Sequence, residues 1–388
     1  AGYDVTTIVC DYNEVLRQAD DEIEALVPWK VIRVPRSRGE GVRARAVAQL
    51  ARTLSTLGVP IPVKVAALSA RTPVEALMRR APLVPADLYI AHYVAALPAV
   101  TAAARRHGAL IGFDAEDFHS GEGTGAPGDA FRMRMIEIVE RSVLPACAHM
   151  TAAAPLIGKA YAARYGVACP ATVLNVFPLS MAPAEPRPLR IEEGVPGLRS
   201  YWFSQTIGPD RGLQAFIQAM ALATTRVTLD IRGSNRWGHG DALLALAASL
   251  GLGDRVKLLP MAAPAEMVRL AADYDVGLSL ETDVSENRRI CLTNKIFTYL
   301  LAGVPVIMSD TPAQKLLAPD LGPAARLCTL ADPAGLAAIL DSLASASSRA
   351  EASKAAWRLG RERYNWDREQ EVLLQSVAAA FERQERGR

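Results

Sequence analysis

YDVGLSLETDVSENRRICLTNKIFTYLLAGVPVIMSD, Tyr274 to Asp310, passes from a short apolar run through a polar loop into a helical repeat and out into a second apolar run. Val276 to Leu280 is apolar and stops at Glu281. The loop Thr282 to Cys291 is polar and poor in glycine, and it carries Asp283, Glu286, Arg288 and Arg289. From about Thr293 to Leu301, Ile296, Phe297, Leu300 and Leu301 recur at helical spacing. Gly303 supplies a C-terminal stop, and Val304 to Met308 has the length and composition of a buried strand. The order strand, loop, helix, strand predicts a βαβ crossover, whose ligands sit where the loop meets the helix N-terminus.

The segment NKIFTYLLAGVPVIMSD resembles the signature of the group 1 family of nucleotide-sugar glycosyltransferases. Lys295, Ile296, Phe297, Tyr299, Ala302, Gly303, Pro305 and Val306 match its pattern, and the family's glutamate falls on Thr298. The resemblance implies a GT-B fold: two Rossmann-like, doubly wound α/β domains facing a cleft, with a C-terminal helix crossing back to the first. It further implies a nucleoside-diphosphate sugar as donor, a saccharide or lipid-linked hydroxyl acceptor, retention of anomeric configuration, and no cofactor or protein-bound metal.

At 388 residues the chain accommodates two domains of ordinary size. Half its residues are apolar and the formal net charge is +2, a balance that argues against nucleic acid as a partner. Cys10, Cys147, Cys169, Cys291 and Cys328 are scattered and odd in number. They predict reduced thiols in a cytoplasmic setting, with neither zinc nor disulfides. No apolar run approaches the ~18 residues of a membrane span. AGYDVTTIVC resembles the second strand of the family's first domain, which places a first strand and a glycine-rich loop ahead of residue 1.

Strands are predicted at Val5–Val9, Lys30–Val34, Asp87–Ala91 and Ala109–Phe113, with Val173–Pro178 resembling the last strand of the family's first domain. Between Lys30 and Arg80 eleven basic residues face two acidic ones. Val42 to Leu57 has helical periodicity, with Val47, Leu50, Leu54 and Leu57 apolar and Arg43, Arg45 and Arg52 basic. Such a helix fits either an anionic membrane surface, at the inner face, or its own domain. Pro183, Pro186, Pro188 and Pro196 mark a linker, dividing a first domain at 1–178 from a second at 179–388. The second domain alternates strands (Ser200–Phe203, Val227–Ile231, Val256–Leu259) with helices, the pattern of a parallel sheet. Ala331 to Arg363 reads as helical, and a last helix from Asp367 to Glu382 follows.

A departing diphosphate needs cations or helix N-termini around it. Arg211-Gly212 fits the family's Lys-Gly position, with Arg as a bidentate phosphate partner. The family's preceding Arg falls on Gln205. Lys295, with Thr293 and Asn294, opens the helix of the signature, and Met261 follows the strand end where the family reads the base. Thr298 hydrogen-bonds less than the carboxylate it replaces, so either the ribose contact moves, Glu286 being the candidate, or nucleotide binding is weak, and Arg288 and Arg289 could replace the charge absent at Gln205. On the acceptor side, Asp114, Glu116 and Asp117 sit at a strand end, where mutual repulsion raises at least one pKa and suits it to accept a proton. His92 and His119 are alternative acceptors. Two further readings remain: a sugar-nucleotide epimerase of the same fold, and a weakly catalytic nucleotide-sugar-binding protein, the latter motivated by Gln205 and Thr298.

Overall fold

The computed structural model describes residues 2–11, 17–35, 39–70, 74–185 and 197–386. Pro186, Pro188 and Pro196 of the expected linker, and Arg36, Arg38 and Arg71 of the basic run, lie outside the described residues. Two compact units are present. The first comprises Ala1–Val173, Ser285–Asn287 and Val372–Arg388, and the second Leu174–Val284 and Arg288–Glu371.

In the first unit, strands β1 (Thr6–Asp11) and β2 (Lys30–Pro35) pair in parallel with one another, and among the described residues they form a sheet of their own. Strands β3 (Leu88–Ala91), β4 (Leu110–Ala115), β5 (His149–Ala152) and β6 (Ala171–Thr172) form a second parallel sheet in sequential order. The crossovers have clear sequence causes. Helix Leu97–His107 has Pro98 in its first turn, where its missing N–H costs nothing, and it ends at Gly108 with φ 65°. Helix Pro155–Tyr165 repeats the device with Pro155 and Gly166 at φ 67°. The C-terminal helix Trp366–Arg386 joins this unit from Val372 onward: Ser376 Oγ lies 3.1 Å from His149 Nδ1, and Arg383 donates to the Ala148 carbonyl at 2.6 Å.

The second unit holds one parallel sheet in the order β12-β11-β10-β7-β8-β9. These strands are β7 (Gly197–Thr206), β8 (Arg226–Ser234), β9 (Val256–Leu259), β10 (Val276–Ser279), β11 (Val306–Ser309) and β12 (Ala325–Cys328). Every residue of β10 and β11 is buried, as expected of parallel strands covered on both faces. Gly277 is required there: a Cβ would stand 2.2 Å from the Tyr299 ring, which lies flat on the strand. Strand order reverses between β7 and β10, so their C-terminal ends open the crevice in which doubly wound folds bind ligands.

Three local expectations need correction. The loop after β10 contains a short helix, Glu286–Ile290, with its acid in the first turn and Arg288 and Arg289 in the last, as the helix dipole favours. The predicted strand over 173–178 is replaced by β6, two residues earlier. The following backbone turns to other partners: Leu174 N–H donates to Glu369 Oε2, and the Phe177 carbonyl accepts from Trp366 N–H. The stretch 331–363 is two helices, Pro333–Ser342 and Ala346–Glu362, the first capped by Asp332 accepting from Gly335 N–H. Beyond β11, helix Pro312–Leu321 leads to β12, the strand at one edge of the sheet.

Candidate functional site

At the reversal point of the second unit's sheet, the chain leaves β10 and places Glu281 immediately beyond it, with its side chain almost wholly buried. Its Oε1 lies 3.0 Å from Lys295 Nζ, and its Oε2 lies 2.9 Å from Arg288 Nη1 and 4.0 Å from Arg211 Nη1. Each cation comes from a different element. Arg211 precedes helix Leu213–Leu222, Arg288 lies on the short helix, and Lys295 is in the first turn of helix Asn294–Leu301. Burial alone would raise the Glu281 carboxyl, but Lys295, Arg288 and Arg211 reverse that and hold it at about 2. Burial, and then the neighbouring Arg288, lower the Arg211 guanidinium from its ordinary value.

Three cations against one carboxylate leave an excess of two positive charges. Lys295 is sealed in, with 6% of its side chain exposed and Nζ 5.9 Å from the centroid of the Trp202 ring. Arg211 and Arg288 are only partly covered. The arrangement is one buried anion that fixes three cations, of which two, Arg211 and Arg288, keep part of their side chains at the surface. Helix N-termini reinforce the field, because helices Leu213–Leu222 and Asn294–Leu301 both begin here. Gly212 caps the first at φ 67°, and a Cβ there would stand 2.6 Å from Leu280 Cβ, so the close turn requires glycine.

The other donor-side candidates fall in varied places. Thr293 stands at the N-terminal boundary of helix Asn294–Leu301 without a side-chain capping bond, its Oγ1 3.2 Å from Ser279 Oγ, with Asn294 partly buried beside it. Thr298 is fully buried, and its hydroxyl donates to the Asn294 carbonyl at 2.8 Å. That proton is spent inside the helix. Arg288 and Arg289 diverge: Arg288 joins the cluster, whereas Arg289 forms an exposed pair with Asp283 at 2.9 Å. Gln205 is exposed in an irregularity of the β7–β8 pairing, and Met261 is exposed beyond β9, the sheet's outer strand. Glu286 groups with the first unit, where its Oε2 lies 2.8 Å from Arg164 Nη2.

In the first unit the strand register builds a second cluster. Ala91 of β3 is level with Phe113 of β4, and Asp114 is level with Thr151 of β5. His92, Asp114 and Thr151 therefore form a row across the strand ends. Thr151 donates to Asp114 Oδ1 at 2.6 Å, and His92 Nδ1 is 2.7 Å from Asp114 Oδ2, while His92 Nε2 is 3.5 Å from Glu116. Hydrogen bonds to Asp114 and Glu116 push the His92 imidazole up to about 10. At neutral pH His92 is thus a donor and not the proton acceptor expected from the sequence. Burial works to raise Asp114, but His92 and Thr151 outweigh it and its pKa falls. Glu116 falls too, chiefly through its hydrogen bond with His92.

Asp117 alone among the three carboxyls is raised, and the cause is burial first, with repulsion from Glu122 and Glu116 minor. Between Asp114 and Glu116 the expected repulsion is offset by the intervening His92 imidazolium. Asn287 donates to Asp117 Oδ1 at 2.7 Å and accepts from Phe118 N–H at 2.8 Å. His119 is buried, with Nδ1 2.7 Å from Glu122 Oε1 and an edge-on contact to Tyr93. Beneath this loop, fully buried Glu140 accepts from Tyr161 at 2.9 Å and from Tyr165, and burial raises its pKa. Among the described residues, no group of three or more His, Cys, Asp or Glu side chains is placed to hold a metal ion.

Sequence reasoning missed Glu281, Thr151 and Asn287. Glu281 carried a usable signal, an ionisable residue at the end of the largely apolar run Val276–Leu280. Thr151 required the register of β4 against β5, and Asn287 required knowing that Ser285–Asn287 groups with the first unit.

No family model and no curated protein matches the chain significantly. Solved structures do. HepE (Alr3699) of Anabaena, in complex with UDP and glucose, aligns with TM-score 0.68 at 17% identity over 96% of this chain and 91% of that one. Sucrose-phosphate synthase of Thermosynechococcus elongatus gives 0.68 at 14% identity over 97% and 99%. A glycosyltransferase of Rickettsia africae gives 0.63 at 11% identity over 96% and 90%. The fold is therefore GT-B, as the motif around Lys295 implied. Identity this low speaks to fold, and activity has to be argued from the site.

Proposed function

We propose that the chain is a nucleotide-sugar-dependent glycosyltransferase, whose second unit holds the donor and whose first unit holds the acceptor hydroxyl. The observation that carries this reading is the Glu281-centred trio of Lys295, Arg288 and Arg211 at the sheet's reversal point. A nucleoside diphosphate brings the anion that the two excess charges call for, and the leaving diphosphate gains charge as the C1–O bond breaks. Arg211 and Arg288 meet the phosphate oxygens, Lys295 supplies field from behind, and Gly212 lets the backbone approach. This assigns the leaving-group charge to side chains and helix N-termini in place of a metal ion. HepE was solved with UDP, with UDP-glucose and with UDP and glucose, which favours a uridine nucleotide as the first donor to try.

On the acceptor side, both Asp114 oxygens are occupied by Thr151 and His92, so Asp114 acts through His92. Glu116, half-exposed beside His92, is the carboxylate placed to receive a hydrogen bond from a saccharide hydroxyl, and His92 donates to a neighbouring oxygen. Retention is the stereochemical outcome the family resemblance implies. Binding of UDP, GDP and ADP by calorimetry, followed by incubation of the corresponding nucleotide sugars with saccharide acceptors, tests the reading. Nucleoside diphosphate released together with a glycoside of the donor's configuration is the expected result, and no binding of any nucleoside diphosphate refutes it. Thr298 favours one second reading, since its buried hydroxyl leaves the ribose without the family's carboxylate. Tight binding with no turnover across the donors identifies that binding protein instead.

A further inference from the structure

Helix Glu40–Thr56 of the first unit turns one face to its own domain and a different, equally ordered face to solvent. The inner face is short and specific. Glu40 and Ala51 are buried, the helix packs on helix Val63–Ala70, and Arg134 donates to Ser55 Oγ at 2.7 Å. At 100° per residue, Val42, Ala46, Leu50, Thr53 and Leu57 fall together on the opposite side. They are not incidentally uncovered: Val42 is 69% exposed, Leu50 50% and Leu57 69%. Apolar side chains of this size at helical spacing, left in water over about 25 Å of helix, form a stripe and not scattered surface residues.

Arginines border the stripe on both sides. Arg43 lies on one flank, where its Nε is 3.2 Å from Glu75, an exposed pair that contributes little. Arg45 and Arg52 lie on the other. Arg52 stacks 4.3 Å above the Phe131 ring, which leaves its charge intact, and Arg45 is exposed with no ion-pair partner among the described residues. The only acid of the helix, Glu40, is buried on the inner face. A polyanion such as nucleic acid satisfies the arginines and leaves Val42, Leu50 and Leu57 in water. A neutral apolar partner does the reverse.

We infer that this helix lies flat on an anionic lipid surface, with Val42, Leu50 and Leu57 at the acyl boundary and Arg43, Arg45 and Arg52 reaching headgroup phosphates. An apolar stripe flanked by cations fits that interface on both counts, because guanidinium stems pack along the apolar layer while their heads stay in the wet one. Leu and Val supply the area-dependent part of binding and the arginines the charge-dependent part. Neither part rests on the donor site or on turnover.

Co-sedimentation of the full chain with vesicles tests it. Vesicles of phosphatidylcholine containing about one-third phosphatidylglycerol should pellet the protein, and vesicles of phosphatidylcholine alone should not. The double variant Leu50→Glu/Leu57→Glu should weaken binding at least tenfold, Arg45→Glu several-fold, and Leu316→Glu, an exposed position on the second unit, not at all. Circular dichroism checks that each variant folds. Should the double variant fail that check, Leu57→Trp provides the same test, its emission shifting to the blue on anionic vesicles. Absence of vesicle binding, or binding that the Leu50/Leu57 substitutions leave unchanged, overturns the inference. So does self-association that the same substitutions abolish without any vesicle binding, which points to a protein partner.

Discussion

Replacing Glu281 with glutamine should cost the second unit about 3 kcal/mol at neutral pH, and the loss should fade in acid. The magnitude follows from the carboxyl's pKa, which lies at about 2 against an ordinary 4.5. Each unit of such a difference is worth about 1.4 kcal/mol, so the pairing with Lys295, Arg288 and Arg211 stabilises the folded state by about 3 kcal/mol net of burial. Removing one partner of a buried ion pair costs a similar ~3–5 kcal/mol, because the partner left behind stays desolvated. Here that partner is Lys295, with almost no access to water. A carboxyl whose pKa falls on folding stabilises the fold above its unfolded value, and that contribution is lost as pH falls through the folded value. The gap between wild type and Glu281→Gln should therefore be full above pH ~5 and shrink between about 4.5 and 2.

Urea unfolding followed by tryptophan fluorescence reads this directly. Trp202, Trp237, Trp357 and Trp366 all belong to the second unit, leaving only Trp29 in the first. Taking the difference between the two proteins at each pH cancels the other carboxylates that titrate in acid. A gap that stays constant from pH 7 to pH 2.5, or no gap at pH 7, refutes the reasoning.

Three further outcomes follow from the same geometry. Arg288→Ala should weaken nucleoside-diphosphate binding by tenfold or more in calorimetry, whereas Arg289→Ala, paired at the surface with Asp283, should leave it within about twofold; equal losses would contradict the division between them. The His92 imidazole should titrate near 10 by NMR, because a raised folded value means the proton is held until pH passes through it, and Asp114→Asn should bring it back toward 6.5; a titration near 6.5 in the wild type would contradict the pairing. Gly277→Ala should destabilise the second unit by about 3 kcal/mol in the urea assay, since its Cβ overlaps the ring of buried Tyr299.

The architecture was legible because its signals are local. Helical spacing from Ile296 to Leu301, the Gly303 stop and the apolar runs on either side need only a window of a dozen residues, and both strands and the helix formed where that window put them. Of the candidate site, the sequence pointed to the positions that a motif names, Arg211, Gly212 and Lys295, which the structure brings together around Glu281. What a motif cannot convey is where a side chain's hydrogen bonds go. Matching by position set Thr298 where a carboxylate belongs, yet its hydroxyl is consumed one helical turn back by Asn294. The carboxylate that does organise the site is Glu281, whose partners Arg211 and Lys295 lie seventy and fourteen residues away. No periodicity links those three. The link is energetic: an ionisable group just beyond a run of buried strand residues is desolvated wherever the sheet is covered, and desolvation without cations would drive it neutral. Cations at the neighbouring loop ends are then a requirement of the fold, and two of them, Arg211 and Arg288, stay partly exposed.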